Sequence, residues 1–318
     1  GLGDFSFKQP SLLPFYQGLP GCLKKIKPDI IDLENEPFNL GTFQVILARN
    51  LISPESKIVF HTWQNIFKRY PFPFNLVEKF TYQNTDWALA KNEEAEKILR
   101  KKGFSKPISI LSPGVDAEQF KKGERKRVAL GDKDKFIIGY IGAIVKQKGV
   151  LTLISAVSKL KAKFRLLFIG RGDYEEAVRE KVGQLKLREK TLFLRTVPHR
   201  EIPDYLASFD VLVLPSLTFP NWKEQFGRVL IEAMSSEIPV IGSNSGEIPR
   251  VIAEAGLIFR EGDSEDLKEK LELLINNEDL CQELARKGRE RVLKEYSWGV
   301  IAQKTYEIYR KILYETRP

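Results

Sequence analysis

Residues Glu224 to Glu232 read EQFGRVLIE, two carboxylates with seven residues between them. They follow an apolar run, Val211-Leu212-Val213-Leu214, that ends in Pro215-Ser216, and they open a helix-compatible segment running to Ser236. The order is strand, loop, helix N-terminus, with Glu224 in the loop and Gly227 near the first turn. The first N–H groups of a helix lack intrahelical acceptors, and the positive end of the helix dipole adds to them, so an anion suits this place. The spacing from Glu224 to Glu232 covers just over two helical turns, which puts both acids on roughly one face. Two carboxylates can take hydroxyls while the helix tip between them takes phosphate. A nucleotide sugar carries such groups in that order. Taken alone, the pair also fits a helix cap and a solvated surface residue, so the surrounding elements decide.

From residue 136 onward, short apolar runs alternate with segments of helical period, which reads as repeated βα units. Strands are predicted at 136–141, 164–169, 191–194, 210–214, 238–242 and 256–259. Helices are predicted near 149–161, 173–186, 200–208, 226–236, 264–276 and 278–294. Apolar strands without polar alternation belong to a parallel sheet covered on both faces. The first part follows the same logic, with strands near 29–33, 57–61, 86–90 and 108–111. Pro113-Gly114 and the charged run 121–135 read as a linker.

At 318 residues the chain has room for two domains. Its 42% hydrophobic and 29% charged residues fit a soluble globular protein, and the longest apolar stretch, 136–145, is too short to span a bilayer. No secretory leader is visible, because Leu12-Leu13 is broken by Pro14 with no basic segment before it. Cys22 and Cys281 suggest neither a disulfide framework nor a zinc site. A cytoplasmic location is the expectation. The chain begins Gly-Leu-Gly-Asp, which reads as a processed or truncated N-terminus.

The net charge of +9 is unevenly spread: residues 1–127 hold 20 Lys and Arg against 14 Asp and Glu, two thirds of the excess. Basic clusters at 24–27, 68–69, 100–102 and 121–127 fit solvated loop and helix ends. They equally suit a peripheral contact with anionic lipid head groups or a lipid-phosphate acceptor. No nucleic-acid recognition motif accompanies the charge.

The block DVLVLPS, EQFGRVLIEAM, IPVIGSNSGEIP resembles the signature of retaining glycosyltransferases of family 4. The resemblance continues through FIIGYIGAIVKQKG, LLFIGRGD, VPHREIPDYLASFD and SPGVDAEQF, about two thirds of the chain. It implies an α/β fold of the GT-B kind, two Rossmann-like domains facing a cleft. The expected domains are an N-terminal acceptor domain (1–118), a C-terminal nucleotide-sugar domain (119–297) and a final helix crossing back (298–318). It also implies transfer of a sugar from a nucleotide-diphosphate donor to a saccharide or lipid-linked acceptor, with no metal or other cofactor and no nucleic-acid partner.

On the same resemblance, Glu224 would bond donor-sugar hydroxyls, and Glu232 would grip the ribose diol, since both carboxylate oxygens accept. The backbone at Phe226, Gly227, Arg228 and Val229 would hold phosphate. Gly142 would let backbone approach the phosphates, and Lys148 matches the lysine on the diphosphate. The backbone around Val197 would hold the base. His61, at the end of the predicted strand 57–61, stands near a family histidine that touches the donor sugar. No enzymic nucleophile or general base stands out.

Two departures matter. The family usually carries Arg after the glycine matching Gly142, where this chain has Ala143; Lys146, Arg171 or Arg228 could replace that cation. The first strand, a Gly-rich loop and two βα units of the family's first domain, about 70–90 residues, have no counterpart, so that domain is expected to be shortened. A catalytically impaired nucleotide-sugar-binding protein of the same fold is the alternative these departures raise. His199, before a predicted helix, reads as a cap or surface residue.

Overall fold

The computed structural model describes residues 16–123 and 134–314. By internal contacts the chain forms two units, residues 1–112 with 302–318, and residues 113–301. The sequence reading placed the first boundary after residue 118 instead. Residues 113–120 join the second unit for a local reason. The Val115 N–H donates to the Tyr296 carbonyl, the Trp298 N–H donates to the Val115 carbonyl, and the Arg289 guanidinium bonds the carbonyls of Ala117 and Phe120. Most of the charged run 121–135 lies outside the described residues.

The first unit carries strands β1 (Ile30–Leu33), β2 (Lys57–Thr62), β3 (Trp87–Ala90) and β4 (Ile108–Ile110), parallel and paired in chain order. Its helices are α1 (Leu19–Ile26), α2 (Leu40–Ile52), α3 (Phe74–Asn84) and α4 (Glu93–Lys101). The start of α4 is written in its sequence: the Asn92 side chain accepts from the Ala95 N–H, three glutamates occupy the first turn, and Arg100 and Lys101 occupy the last. Ile46, Ile58, Phe60, Ala88 and Phe104 form a fully buried centre between sheet and helices.

The second unit has six parallel strands: β5 (Phe136–Ile141), β6 (Phe164–Ile169), β7 (Thr191–Leu194), β8 (Val211–Leu214), β9 (Val240–Ser243) and β10 (Leu257–Phe259). Helices α5 (Val150–Val157), α6 (Glu175–Gln184), α7 (Ile202–Leu206), α8 (Arg228–Ser235), α9 (Ile248–Ile252), α10 (Ser264–Ile275) and α11 (Glu278–Glu295) alternate with and follow them. A last helix, α12 (Trp298–Tyr314), starts in this unit, and its residues from Ala302 on group with the first.

Strands β5, β6 and β7 coincide with their predicted ranges, and the others differ by a residue or two at their ends. The predicted helix at 149–161 is shorter; its end at Val157 is followed by Ser158, whose hydroxyl donates to the Ser155 carbonyl.

The strand order is β10-β9-β8-β5-β6-β7. The chain therefore starts in the middle, winds outward to β7, then returns to β8 on the other side of β5. This is the doubly wound Rossmann order, and its reversal lies between β5 and β8. At such a switch point the loops leaving the two strands diverge, so their carboxyl ends frame a crevice.

Candidate functional site

The loops leaving β5 and β8 carry the residues singled out by the sequence. After β5 the chain makes a single 3-10 turn, Lys146–Lys148, closed by Gly149 at φ 63°. A Cβ on Gly149 would stand 1.8 Å from the Pro215 carbonyl oxygen, so only glycine lets this turn lie against the end of β8. The Leu217 N–H donates to the Gln147 carbonyl at 2.8 Å and ties the two loops together. Lys148 is thereby delivered to Glu224: its Nζ lies 2.5 Å from Glu224 Oε2. The Ser216 hydroxyl donates to the same oxygen at 2.7 Å.

Glu224 is 6% exposed, and its backbone is held as firmly as its side chain. The loop after β9 brings Gly246 (φ 54°) against it; a Cβ there would sit 2.0 Å from the Glu224 carbonyl oxygen, which accepts from the Glu247 N–H. Three strand ends of one sheet thus fix a single carboxylate. A lysine ammonium has three N–H donors, so the ion pair with Glu224 leaves capacity for an anionic ligand.

Gly227 caps α8 at φ 82° and has no side chain of its own to satisfy the first-turn amides. The helix starts at Arg228 rather than at 226 as read from the sequence, so Phe226 and Gly227 lie before the first turn. Phe226 is buried edge-on to Tyr296 at 5.6 Å, which anchors the segment leading into the helix. Arg228 is exposed and Val229 half-buried. Glu232, about 6 Å along the axis from Arg228, is 6% exposed despite its charge.

The partner of Glu232 is His199, whose Nε2 is 3.1 Å from Oε1. The sequence reading had His199 as a cap or surface residue. It does open a 3-10 turn (His199–Glu201) and its side chain is exposed, but the ring also packs near Phe120 at 5.3 Å and reaches Glu232. No sequence signal links positions 33 residues apart on different elements. Through this contact the loop after β7, which contains half-buried Val197, is joined to α8.

Gly142 and Arg171 lie on the neighbouring loops after β5 and β6, whose backbones interlock. The Gly142 N–H donates to the Ile169 carbonyl, the Ile144 N–H donates to the Arg171 carbonyl, and a Cβ on Gly170 would stand 2.0 Å from the Gly142 carbonyl oxygen. Of the cations that could replace an arginine at exposed Ala143, Lys146, Arg171 and Arg228 are all exposed. Lys146 shares the 3-10 turn of Lys148. Their ammonium groups lie over Phe219 at 5.9 Å and Trp222 at 5.3 Å, two rings joined by the backbone bridge Phe219–Trp222.

His61 belongs to the first unit. It is the next-to-last residue of the inner strand β2 and is 5% exposed. Its Nε2 lies 2.8 Å from Asp32 Oδ1, and the Tyr309 hydroxyl donates to Asp32 Oδ2. Burial works against the Asp32 charge, but the His61 and Tyr309 bonds and the charges of His61 and Lys91 outweigh it and lower its pKa. Beside it Lys91, directly after β3, is 8% exposed and its pKa is lowered by burial, opposed by Glu34 and Asp32. Among the described residues, no three His, Cys, Asp or Glu side chains are grouped as a metal site, and no helix is long and apolar enough to cross a membrane.

A doubly wound sheet with a buried, lysine-paired carboxylate and a glycine-capped helix at its switch point is a Rossmann-type unit. Joined to a second parallel α/β unit in one chain, it gives the GT-B fold. Residues 121–291 match the glycosyl transferases group 1 family, and the chain belongs to that family. It is 28% identical over 319 aligned positions to sulfoquinovosyl transferase SQD2 of Arabidopsis thaliana, covering 92% of this chain and 60% of that protein. It is 32% identical to the capsular polysaccharide biosynthesis glycosyltransferase CapM of Staphylococcus aureus, covering 64% of this chain and 54% of that protein. The chain therefore spans little more than half the length of these relatives. Among solved structures, Anabaena HepE in complex with UDP and glucose superposes with a TM-score of 0.77 at 18% identity, covering 92% of this chain and 81% of that one.

Proposed function

We propose that the chain transfers a sugar from a nucleotide-diphosphate donor to a saccharide or lipid-linked acceptor, with retention at the anomeric carbon and without a metal ion. The observation that carries this reading is the convergence of Lys148, Ser216 and Glu224 at the β5/β8 switch point, beside the open N-terminus of α8. Leaving-group charge on a nucleoside diphosphate needs fixed positive groups near the oxygens where it develops. Lys148, with the α8 amides, supplies them without a cation cofactor. Glu224, held rigid by three loops, orients donor hydroxyls, and Glu232 takes the ribose diol in place of, or alongside, His199. Retention rests on the likeness of the Asp210–Ile252 block to retaining enzymes. Acceptor class follows from the relatives named for sulfoquinovosyl transfer and for capsular polysaccharide synthesis. The basic excess of residues 1–127 suits an anionic acceptor surface such as a lipid phosphate.

A thermal-shift screen with UDP-glucose, GDP-mannose and ADP-glucose tests the reading. One of them should raise the melting temperature of the wild type and lose most of that effect in Glu232→Ala. Proton NMR of the first product reports the anomeric outcome, and turnover should persist in EDTA. A protein that none of the three nucleotide sugars stabilises, or whose response survives Glu232→Ala, would not have the site described.

A further inference from the structure

The segment leading from β2 into α3, residues 66–79, reads IFKRYPFPFNLVEK. Its exposed side chains are Phe67, Phe72 and Leu76, two prolines, and the cations Lys68, Arg69 and Lys79. Every side chain it shows fully to water is therefore apolar or cationic. Its one acid, Glu78, is buried and paired with Lys102 at 2.7 Å. Phe72 is 77% exposed, a large apolar surface left in water.

The half-buried residues of the segment hold this surface in place. Tyr70 stacks on Phe38 with ring centroids 4.0 Å apart, and the Gln64 amide donates to its hydroxyl. Lys102 lies 4.7 Å over Tyr70 and 5.8 Å over Phe67, which keeps Phe67 beside the stack. Phe72 is bracketed by two backbone bonds, from the Asn75 N–H to the Pro71 carbonyl and from the Leu76 N–H to the Pro73 carbonyl. The apolar side chains thus stand on a folded backbone.

The charges also differ from those on other surfaces. On α6, α10 and α11, Arg179, Lys268 and Arg286 pair with acids one helical turn away. Lys68, Arg69, Lys79 and Lys101 form no ion pair among the described residues. Lys101 lies 4.9 Å over the Phe67 ring, a contact that leaves its charge unneutralised. The core of a protein–protein interface is depleted of charge, whereas here cations are interleaved with the apolar residues. An anionic bilayer suits that mixture, since its phosphates meet cations while its acyl boundary takes the rings.

We infer that residues 66–79, with Lys101, dock the first unit on an anionic lipid surface, with Phe67, Phe72 and Leu76 entering the interface and the four cations against headgroup phosphates. Stable attachment takes two signals, and the segment carries both. The contact is peripheral, because no helix among the described residues is long and apolar enough to cross a membrane. Docking rests on these exposures and not on the function proposed above; only its consequence, that a lipid-linked acceptor would be met at the bilayer, rests on that function.

Cosedimentation with vesicles tests the surface, without nucleotide sugar. The wild type should bind an equal mixture of phosphatidylcholine and phosphatidylglycerol and leave phosphatidylcholine alone. Raising salt from about 0.1 to about 1 M, which shortens the screening length from about 10 to about 3 Å, should release most of it. Phe72→Ser should weaken binding about tenfold through lost apolar burial, and Lys68→Gln/Arg69→Gln about thirtyfold, at about fivefold per charge. Leu51→Ser, at an equally exposed position on α2 (76%), is the control and should bind like the wild type. All these changes are at exposed side chains, so melting temperatures should match the wild type.

A wild type that ignores phosphatidylglycerol, or binds both kinds of vesicle equally, overturns the inference. A Phe72→Ser protein that binds like the wild type reduces the contact to charge alone and overturns insertion. Equal losses in Leu51→Ser and Phe72→Ser overturn the location. Self-association of the free wild type in sedimentation velocity, abolished by Phe72→Ser, assigns the face to a second copy instead. The donor thermal shift on the same variants reports on the proposed function separately, and its absence leaves the vesicle result standing.

Discussion

Removing the Lys148 ammonium tests whether the ion pair at the switch point is both structural and functional, and the two roles can be separated. Lys148→Met keeps the stem but takes the ammonium away from Glu224, which is 6% exposed and keeps the Ser216 hydroxyl. A hydrogen bond to a charged group contributes about 1.5–3 kcal/mol, and stripping one partner from a fully buried pair costs about 3–5 kcal/mol. The Lys148 side chain is 21% exposed, so water can reach the carboxylate once the ammonium is gone. That places the loss near 2 kcal/mol, at the lower end of these ranges. For a unit of this size the melting temperature should fall by about 4–8 °C. Glu224→Gln is nearly isosteric, still accepts from Ser216, and carries no charge to leave unpaired. The double variant Lys148→Met/Glu224→Gln should therefore regain roughly 1–2 kcal/mol of the single variant's loss, a coupling typical of residues in contact. Donor binding should not return, because neither the diphosphate cation nor the carboxylate is restored. Calorimetry on the four proteins, with nucleotide-sugar titrations on each, gives the cycle. A double variant less stable than Lys148→Met, or one that binds donor like the wild type, would refute the reasoning.

Further outcomes follow from the same geometry. Gly246→Ala must place a Cβ 2.0 Å from the Glu224 carbonyl at a positive φ, so it should lose about 1–3 kcal/mol and weaken donor binding without touching the ligand; an unchanged melting curve and affinity would remove Gly246 from the positioning of Glu224. Cys281 has its pKa pushed up to about 11, by burial and then by Asp210 and Glu278, whereas Cys22 is exposed. At pH 8 only about one Cys281 in a thousand is thiolate, so mass spectrometry after brief alkylation should find Cys22 modified and Cys281 intact. Glu36 receives bonds from the Thr62 hydroxyl and the Trp63 N–H, yet burial raises its pKa. The folded state then holds this proton more tightly than the unfolded chain, so its contribution to stability is present at low pH and is lost as pH rises through the folded pKa. Glu36→Gln should gain on the wild type in relative stability between pH 5 and pH 8; a difference that runs the other way would contradict the burial argument.

The second unit was legible at the level of elements because its strands are mostly apolar, rich in Ile, Leu, Val and Phe, and several are bounded by Gly or Pro. Three of its six strands fall on the predicted residues. Helix ends were less legible. The start of α8 depends on Gly227 taking a left-handed φ beneath Leu214, where a Cβ would lie 2.8 Å from the Leu214 side chain, a contact between elements rather than a property of the segment. The boundary near residue 113 was misplaced for the same kind of reason: Arg289, far along the chain, gathers the carbonyls of Ala117, Phe120 and Ser235.

Within the site, residue types and local spacing named Glu224, Gly227 and Glu232, and the family resemblance added Lys148 and Gly142. A carboxylate pair flanking a helix start is a one-dimensional pattern, set by the 3.6-residue turn. Which groups meet was settled only by folding. Reversal of strand order between β5 and β8 brings Lys148 to Glu224 across 76 residues of chain, and the winding of β7 brings His199 to Glu232. The hydrogen bonds that His61 and Tyr309 make to Asp32 join early and late parts of the sequence, 277 residues apart at the longest bond. Periodicity fixes what one element exposes, whereas sheet order and the packing of glycine against carbonyl oxygens decide its neighbours, and those contacts leave no mark in any single stretch of sequence.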